Sequence, residues 1–479
     1  MTTGYAWDSE PTTRRRSQPA ARDADPWTTP PWWRDAVGCA TWASILVTVA
    51  LWVSNRGLQD LRGDGLPAMF TSLGRLTGLL SADLLLIQVL LMARIPAIER
   101  SFGQDVLARW HRWVGFASFD LLLAHLVLIT AGYAGSKNPV KLVKEFVDLV
   151  LKEPGMLLAF AATCLLVLVV VTSIRMARAR LRYESWHLLH LYAYLGVGLA
   201  IPHEVWTGTE FKSSTVAEIY WWSLYGAAAL SVLVWRLGVP VVRSLRHDLR
   251  VEAVVPEAPG VVSVYVTGRD LDALRANAGQ FFTWRFLSGR GWTRGNPYSL
   301  SAAPQPNRLR ITVKDLGDNS GRLAGVTPGA RVLVEGPYGR LHGGVRTRER
   351  VTLIASGIGV TPMRAMMEQL RHRPGELTLI FRASTQDDLL LRGEIDELAA
   401  ATGARVFYVV GRRVPGRDTW LPESAAHLSD AQALLQLVPD VADHDVYLCG
   451  AQGWMDAARA AALEAGVPAD HVHLERFSW

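Results

Sequence analysis

RWHRWVGFASFDLLLAHLVLITAGY, running from Arg109 to Tyr133, is the stretch on which the fold turns. From Trp113 onward it is long and apolar enough to cross a bilayer, which takes about 20 residues at about 1.5 Å of rise per residue. It nevertheless carries His111 at its edge and His125 in its interior. An imidazole in hydrocarbon is costly, so by default it marks a functional site whose partner should be nameable.

The partner lies in a second apolar stretch, WHLLHLYAYLGVGLAIPHEVW (186–206), which offers His187, His190 and His203. Six apolar segments have spanning length: 36–54, 74–95, 113–133, 156–174, 186–205 and 217–238. Asp83 and Gln88 interrupt the second, and histidines and tyrosines interrupt the fifth. Arginines gather in the loops after spans two, four and six, and at 14–16 near the N-terminus, whereas the opposite loops mix Lys with Asp and Glu. The positive-inside rule then places both termini in the cytoplasm of a multi-pass cell-membrane protein, and spans three and five run in the same direction. Residues 1–35, polar and rich in Arg and Pro, read as a disordered cytoplasmic tail rather than a signal peptide. In the outer segment 140–152, polar residues recur at helical spacing, as expected of a helix lying flat on the outer face or packed as an ordinary loop helix.

Fourteen residues part His111 from His125 and thirteen part His190 from His203. Those are rises of about 21 Å and about 19.5 Å. Two parallel helices thus make two rungs, His111 facing His190 near the cytoplasmic side and His125 facing His203 near the outer side. Facing imidazoles are how a helical bundle ligates haem iron axially. Fourteen residues return a side chain to within about 40° of the same face, but thirteen miss by about 140°. A local departure from regular helix is therefore expected at Pro202. His187 fits the ladder worse and is a structural residue or a propionate neighbour. Arg109 and Arg112 are either propionate partners or ordinary positive-inside arginines, and Asp120 either carries protons or bonds a haem edge.

The six spans, the histidine spacing and the stretch YESWHLLH (183–190) resemble the NADPH oxidase and ferric reductase superfamily, bacterial type. The resemblance, over roughly residues 70–479, implies two b-type haems stacked across the membrane that carry electrons outward.

After the last span the pattern changes to alternating strands such as RLRITVKDL. In NPYSLSAAP (296–304) an aromatic followed by a hydroxyl suits a flavin, Tyr298 stacking on the ring and Ser299 bonding its N5 edge. The run 317–339 supplies glycines, with Asn319 and Ser320 as donors for a pyrophosphate. These stretches resemble the flavin barrel of the ferredoxin–NADP reductase superfamily, which implies FAD. That family places Arg or His two residues before the tyrosine; here it is Asn296, with Arg294 as the substitute.

RVTLIASGIGVTPMRAMMEQL (350–370) reads as a strand, a turn and a helix, with Gly357, Gly359 and Thr361 where a pyrophosphate would sit. With LTLIFRAST, VFYVVGRR and DVYLCGAQGWM it resembles the NAD(P)-binding domain of the same reductases. That resemblance puts Cys449 beside the nicotinamide, Gly450 in the turn beneath it, Trp479 over the flavin and Glu475 near the flavin–nicotinamide contact. Arg382, Arg412 and Arg413 end strands where a 2′-phosphate would lie, which favours NADPH over NADH.

The expected architecture is therefore a multidomain membrane protein: a six-helix transmembrane domain (36–240), an antiparallel β-barrel FAD domain (248–346) and an α/β Rossmann-like NAD(P) domain (347–479). Its expected activity is electron transfer from cytoplasmic NADPH through FAD and two haem b to an external small-molecule acceptor, oxygen or ferric ion, with no obligate protein partner. The alternative is a membrane-anchored flavin reductase serving a cytoplasmic or membrane protein partner. Three cysteines, Cys39, Cys164 and Cys449, argue against a disulfide framework, a zinc site or a four-cysteine cluster. The arginines track membrane loops rather than an aromatic-interleaved patch, which argues against nucleic acid.

Overall fold

A computed structural model describes residues 30, 32–63, 65–135, 138–174, 183–288, 295–317 and 320–475. They form two units that part between Gly238 and Val239.

The first unit is helical: α1 (Trp32–Ser54), α2 (Gly57–Gly63), α3 (Gly65–Met92), α4 (Pro96–Phe102), α5 (Gln104–Ala134), α6 (Pro139–Lys152), α7 (Met156–Ser173), α8 (Tyr183–Thr207) and α9 (Thr215–Ser231). Among the described residues five helices are long and apolar enough to cross a membrane: Trp32–Ser54, Gly65–Met92, Val106–Ala134, Met156–Ser173 and Thr215–His247. The last is not uniform, because Val232–Gly238 is π-helical and its end is a further helix, α10 (Val239–His247). The expected fifth span, α8, is continuous helix but falls outside that set, because three histidines, Glu184 and Glu204 dilute its apolar run. Nor does the helix break at Pro202, which lies inside it. Proline removes one backbone donor, and helices of this kind tolerate that where neighbouring groups satisfy the freed carbonyl. The azimuthal mismatch between His190 and His203 is taken up without a break.

Helix α3 packs along α5, and α7 along α8. Large apolar side chains such as Trp42, Leu46, Val127, Val171 and Ile219 point outward, as a lipid-facing surface requires. Inside, Trp52, Leu86, Phe211 and Trp221 close a core, with Phe211 and Trp221 stacked at 4.6 Å. Asp83 is buried there; its Oδ1 accepts hydrogen bonds from Ser44 (2.5 Å) and Tyr220 (3.3 Å), while its Oδ2 has no hydrogen-bond partner among the described residues.

In the second unit, β1 (Arg250–Ala258), β2 (Val261–Thr267) and β5 (Arg308–Lys314) form one antiparallel sheet. Strands β4 (Asn296–Ser299), β3 (Phe281–Phe286) and β6 (Val332–Tyr338) form another. Both cover one core containing Val264, Phe282, Trp284 and Ile311. The single barrel expected from sequence is not a closed ladder here; isolated bridges, Arg250–Arg331 and Leu300–Ile311, link the two sheets together with backbone bonds such as Val332 to Leu249 and Ser301 to Arg310. The remainder is a five-stranded parallel sheet in the order β11-β10-β7-β8-β9, made of β7 (Arg350–Ser356), β8 (Leu377–Ala383), β9 (Arg405–Val410), β10 (His444–Cys449) and β11 (Val472–Leu474). Met363 of α11 (Val360–Gln369) and Ile395 of α12 (Arg392–Thr402) pack into one core. Leu434 of α13 (Asp430–Leu437) and Met455 of α14 (Gln452–Glu464) pack into the other. Burial on both faces is why these strands read as apolar runs.

At the start of β10, fully buried Asp445 accepts from the backbone amides of Thr347 and Arg348 (both 2.6 Å) and from His473 Nε2 (2.9 Å). Burial alone would raise this carboxyl; the bonds from His473 and the two amides outweigh it and hold the pKa at about 2. A folded-state pKa below the unfolded value stabilises the fold above about pH 4, and the contribution fades as pH falls towards 2. Asp445→Asn is expected to lower stability at pH 7 by about 2 kcal/mol, with the gap narrowing below pH 4. Thermal unfolding of the full chain against pH checks this; an equal deficit at every pH refutes the linkage.

Candidate functional site

The histidines meet in pairs. The His111 and His190 ring centres lie 5.9 Å apart, and those of His125 and His203 lie 6.3 Å apart. His125 Nδ1 is 2.7 Å from the Gly74 carbonyl and His111 Nδ1 is 3.1 Å from the Gln88 carbonyl. A carbonyl only accepts, so both Nδ1 atoms carry the proton. His203 Nδ1 meets the Thr207 hydroxyl at 2.7 Å, and His190 Nδ1 meets the Ser173 hydroxyl at 3.3 Å. Each hydroxyl donates its own proton elsewhere, Thr207 to the His203 carbonyl and Ser173 to the Val169 carbonyl (both 2.7 Å), so it accepts from the ring. All four side chains are therefore set as the same tautomer, with Nε2 as the lone-pair nitrogen.

Glycines make the room. A Cβ on Gly78 would lie 2.5 Å from His125 Nδ1, and one on Gly155 would lie 2.9 Å from the His203 backbone nitrogen. The sequence reading missed this supporting shell. Its signals were there: Gly74 and Gly78 form a small-xxx-small step on α3, and Thr207 follows His203 by one helical turn. His187 instead neighbours the Trp186 ring (6.5 Å), and Arg109, Arg112 and Asp120 are exposed.

In the second unit, Asn296, Tyr298 and Ser299 lie half-buried on β4, with Tyr298 opposite Phe282 and Ser299 opposite Phe281. The Trp284 indole donates to the Tyr298 carbonyl at 3.0 Å, and burial pushes the phenol up to about 12. The Ser320 hydroxyl is engaged in its own turn, accepting from the Leu316 amide at 2.7 Å and donating to the Gly317 carbonyl at 3.2 Å. Arg294, Asn319 and Trp479 lie outside the described residues.

Strand β7 pairs with β8 on one side and β10 on the other, so the chain reverses direction of travel across the sheet between β7 and β10. Ligands of such sheets bind beyond the carboxyl ends at that switch point. Both glycine turns are there: Gly357 (φ +55°) and Gly359 follow β7, with Thr361 opening α11, and Gly450 follows Cys449 at the end of β10. Burial, aided by the charge of Glu475, pushes the Cys449 thiol up to about 12. The thiol is therefore neutral at physiological pH, an unreactive surface rather than a nucleophile. The Glu475 carboxylate accepts from the Arg340 amide at 3.1 Å and lies against Gly339, which also borders Phe281. Phe281 pairs with Ser299, so Glu475 stands between the cysteine and the NPYS strand. Of the three strand-end arginines, Arg382 is only 5% exposed and turns inward to the Ala383 and Val409 carbonyls, whereas Arg412 and Arg413 face solvent.

Two family models match this chain. Residues 77–201 match a ferric reductase like transmembrane component, and residues 353–460 match an oxidoreductase NAD-binding domain. The chain thus joins, in one polypeptide, a part like a ferric reductase transmembrane component and a part like an oxidoreductase NAD-binding domain. Both matched models carry the names of oxidoreductase parts, and the chain spans 65% or less of the length of several of the curated relatives it matches. Among curated relatives, it is 31% identical over 240 residues to the ferredoxin reductase component of the 3-ketosteroid-9-alpha-monooxygenase of Mycolicibacterium smegmatis, covering 48% of this chain and 65% of that protein. It is 29% identical over 245 residues to ferredoxin–NADP reductase B of Sorangium cellulosum, covering 48% of this chain and 97% of that one. A flavohemoprotein of Chromobacterium violaceum is 30% identical over 237 residues, covering 46% of this chain and 58% of the relative.

Proposed function

We propose that this chain carries electrons from NADPH at the cytoplasmic face through FAD and two b-type haems to an external acceptor, oxygen or ferric ion. The observation that carries the proposal is the two histidine pairs. Two imidazoles sharing one metal through Nε2, at about 2.0 Å each, have ring centres about 6 Å apart. The separations of 5.9 and 6.3 Å, and a tautomer that leaves every Nε2 as the lone-pair nitrogen, support that fit. His111 and His190 would hold the inner group and His125 and His203 the outer.

The chemistry supplied by the bound groups is hydride acceptance and one-electron release by flavin, and one-electron relay by bis-imidazole haem. The chain's own residues bind and orient. Tyr298 would stack on the flavin and Ser299 would bond its edge, and Asn296, Arg294, Asn319 and Ser320 are the residues proposed to serve its phosphates. Gly357, Gly359, Thr361 and Gly450 bring backbone amides to the nucleotide pyrophosphate, and exposed Arg412 favours a 2′-phosphate over Arg382, whose guanidinium is turned inward. Cys449 would offer the nicotinamide a neutral wall with Glu475 bordering it, and Trp479 is the residue proposed to cover the flavin in the absence of nucleotide. The six-span count, with α8 as a polar fifth span, both termini inside, the domain limits 36–240, 248–346 and 347–479, and the two small sheets as halves of a flavin barrel belong to the same reading. Each electron driven outward across a negative-inside membrane gains about 2.3 kcal/mol per 100 mV.

A second reading rests on the relatives named as ferredoxin reductases: a membrane-anchored flavin reductase delivering electrons to a protein partner. Anaerobic mixing of the purified, cofactor-loaded protein with NADPH separates them. Flavin bleaching followed by a reduced b-type α band is expected, and admitting oxygen or ferric chelate should discharge it. Bleaching without any b-type band refutes the transmembrane reading.

A further inference from the structure

We propose that Glu394 is a positioning residue: clamped between Arg310 and Arg364, it locks the strand end that carries Tyr298 and Ser299 to the helix following the Gly357–Gly359 turn, and so fixes how nicotinamide meets flavin. The inference rests on the flavin and nucleotide assignments above.

Arg310 on β5 makes a two-pronged bond to Glu394 at the start of α12, Nη1 to Oε1 at 2.8 Å and Nη2 to Oε2 at 2.9 Å. Its Nε also donates to the Ser301 hydroxyl at 3.0 Å, and Nη2 to the Ser301 carbonyl at 2.7 Å. The Tyr265 ring lies 5.8 Å from the guanidinium carbon. Arg364 of α11 forms an ion pair with the same carboxylate, Nε to Oε2 at 2.7 Å without hydrogen-bond alignment, and its Nη1 reaches the Ser301 carbonyl at 3.4 Å. It also pairs with Glu368, which accepts from the Ala303 amide at 2.8 Å.

These links converge on residues 301–303, two to four positions after Ser299, and on a helix that begins one residue after Gly359. Both arginine side chains are nearly buried, 6% and 10% exposed, and Glu394 is 32% exposed. A bidentate guanidinium–carboxylate pair fixes direction as well as distance, which an apolar contact does not. Without the Glu394 charge, Arg310 and Arg364 would confront each other across the place it occupied, with Glu368 beside Arg364. The strand end and the helix would then separate or slide, changing the angle between flavin and nucleotide without touching either binding pocket. Displacements of about 1 Å cost up to about 10²-fold in rate.

The test uses the full-length protein with its flavin, mixed anaerobically with NADPH in a stopped-flow instrument. E394Q is expected to slow flavin bleaching at least tenfold, with flavin content retained and the half-saturating NADPH concentration changed less than threefold. The long-wavelength charge-transfer absorbance of stacked nicotinamide and flavin should weaken, and E394D should recover part of the rate. An unchanged rate in E394Q overturns the inference, as does a loss confined to the half-saturating concentration. Should E394Q shed its flavin, E394D and R364K keep the charges and alter only geometry; full rates in both then overturn it. A wild-type protein that NADPH does not bleach refutes the flavin and nucleotide reading instead.

Discussion

His125→Leu is expected to remove about half of the b-type haem absorbance and nearly all reduction of an external acceptor, while NADPH still bleaches the flavin. The volume of leucine suits the site, so the loss should be of a ligand rather than of the helix pair. His203 would be left with its Nδ1 proton on Thr207 and nothing opposite its Nε2 among the described residues. Removing a mere outer-shell partner of a metal site typically costs about 10–100-fold in affinity or activity, and removing the ligand itself should exceed that. His111→Leu should act alike at the inner pair, whose own shell is the Gln88 carbonyl and Ser173. His187→Leu is the control, since His187 lies beside Trp186 rather than opposite a histidine on α5. Haem-to-flavin ratios from pyridine haemochrome and flavin absorbance decide the matter. Full haem content in both His125→Leu and His203→Leu would mean that these imidazoles are packing residues.

How much of this was legible in the sequence depended on whether a feature is local. The spacing of His111 and His125 is a property of one regular helix, and it predicted the pairing because α5 is regular. At Pro202 the expected departure from regular helix leaves the helix unbroken, with Gly155 packed close against the backbone of Pro202 and His203. The fifth span was readable as helix, but its histidines place it outside the helices that length and apolarity alone identify as spanning. The parallel sheet was readable from apolar runs and glycine turns, while the inward turn of Arg382 was not, because a side chain at a strand end has carbonyls within reach as well as solvent. The Arg310–Glu394–Arg364 clamp left no sequence signal at all. Its members lie 84 and 30 positions from one another along the chain, and only the folded arrangement brings three ordinary charged residues together.

Gly359→Ala is expected to abolish NADPH-driven flavin reduction, by at least about 100-fold, with the membrane unit intact. Gly359 follows β7 where β7 and β10 run side by side, and an added Cβ would overlap the Cys449 carbonyl and approach the Gly450 nitrogen to 2.8 Å. The obstacle is backbone on a fully buried strand, so no rotamer change relieves it; overpacking of this kind costs about 1–3 kcal/mol or more. The turn that follows β7 must therefore move away from the turn that follows β10. Those two turns are the ones proposed to hold pyrophosphate and nicotinamide, and a shift near 1 Å between them suffices for a loss of about 10²-fold. Gly453→Ala supplies the comparison. It lies in α14, a Cβ there meets nothing within 4 Å, and alanine in a helix is favoured over glycine by about 0.5–1 kcal/mol. That variant should keep its rate and melt no lower than the parent. Dithionite, which bypasses the nucleotide, should still reduce Gly359→Ala fully. A Gly359→Ala protein that NADPH bleaches at the parental rate would show that the close approach of the two turns is not what sets the nucleotide in place.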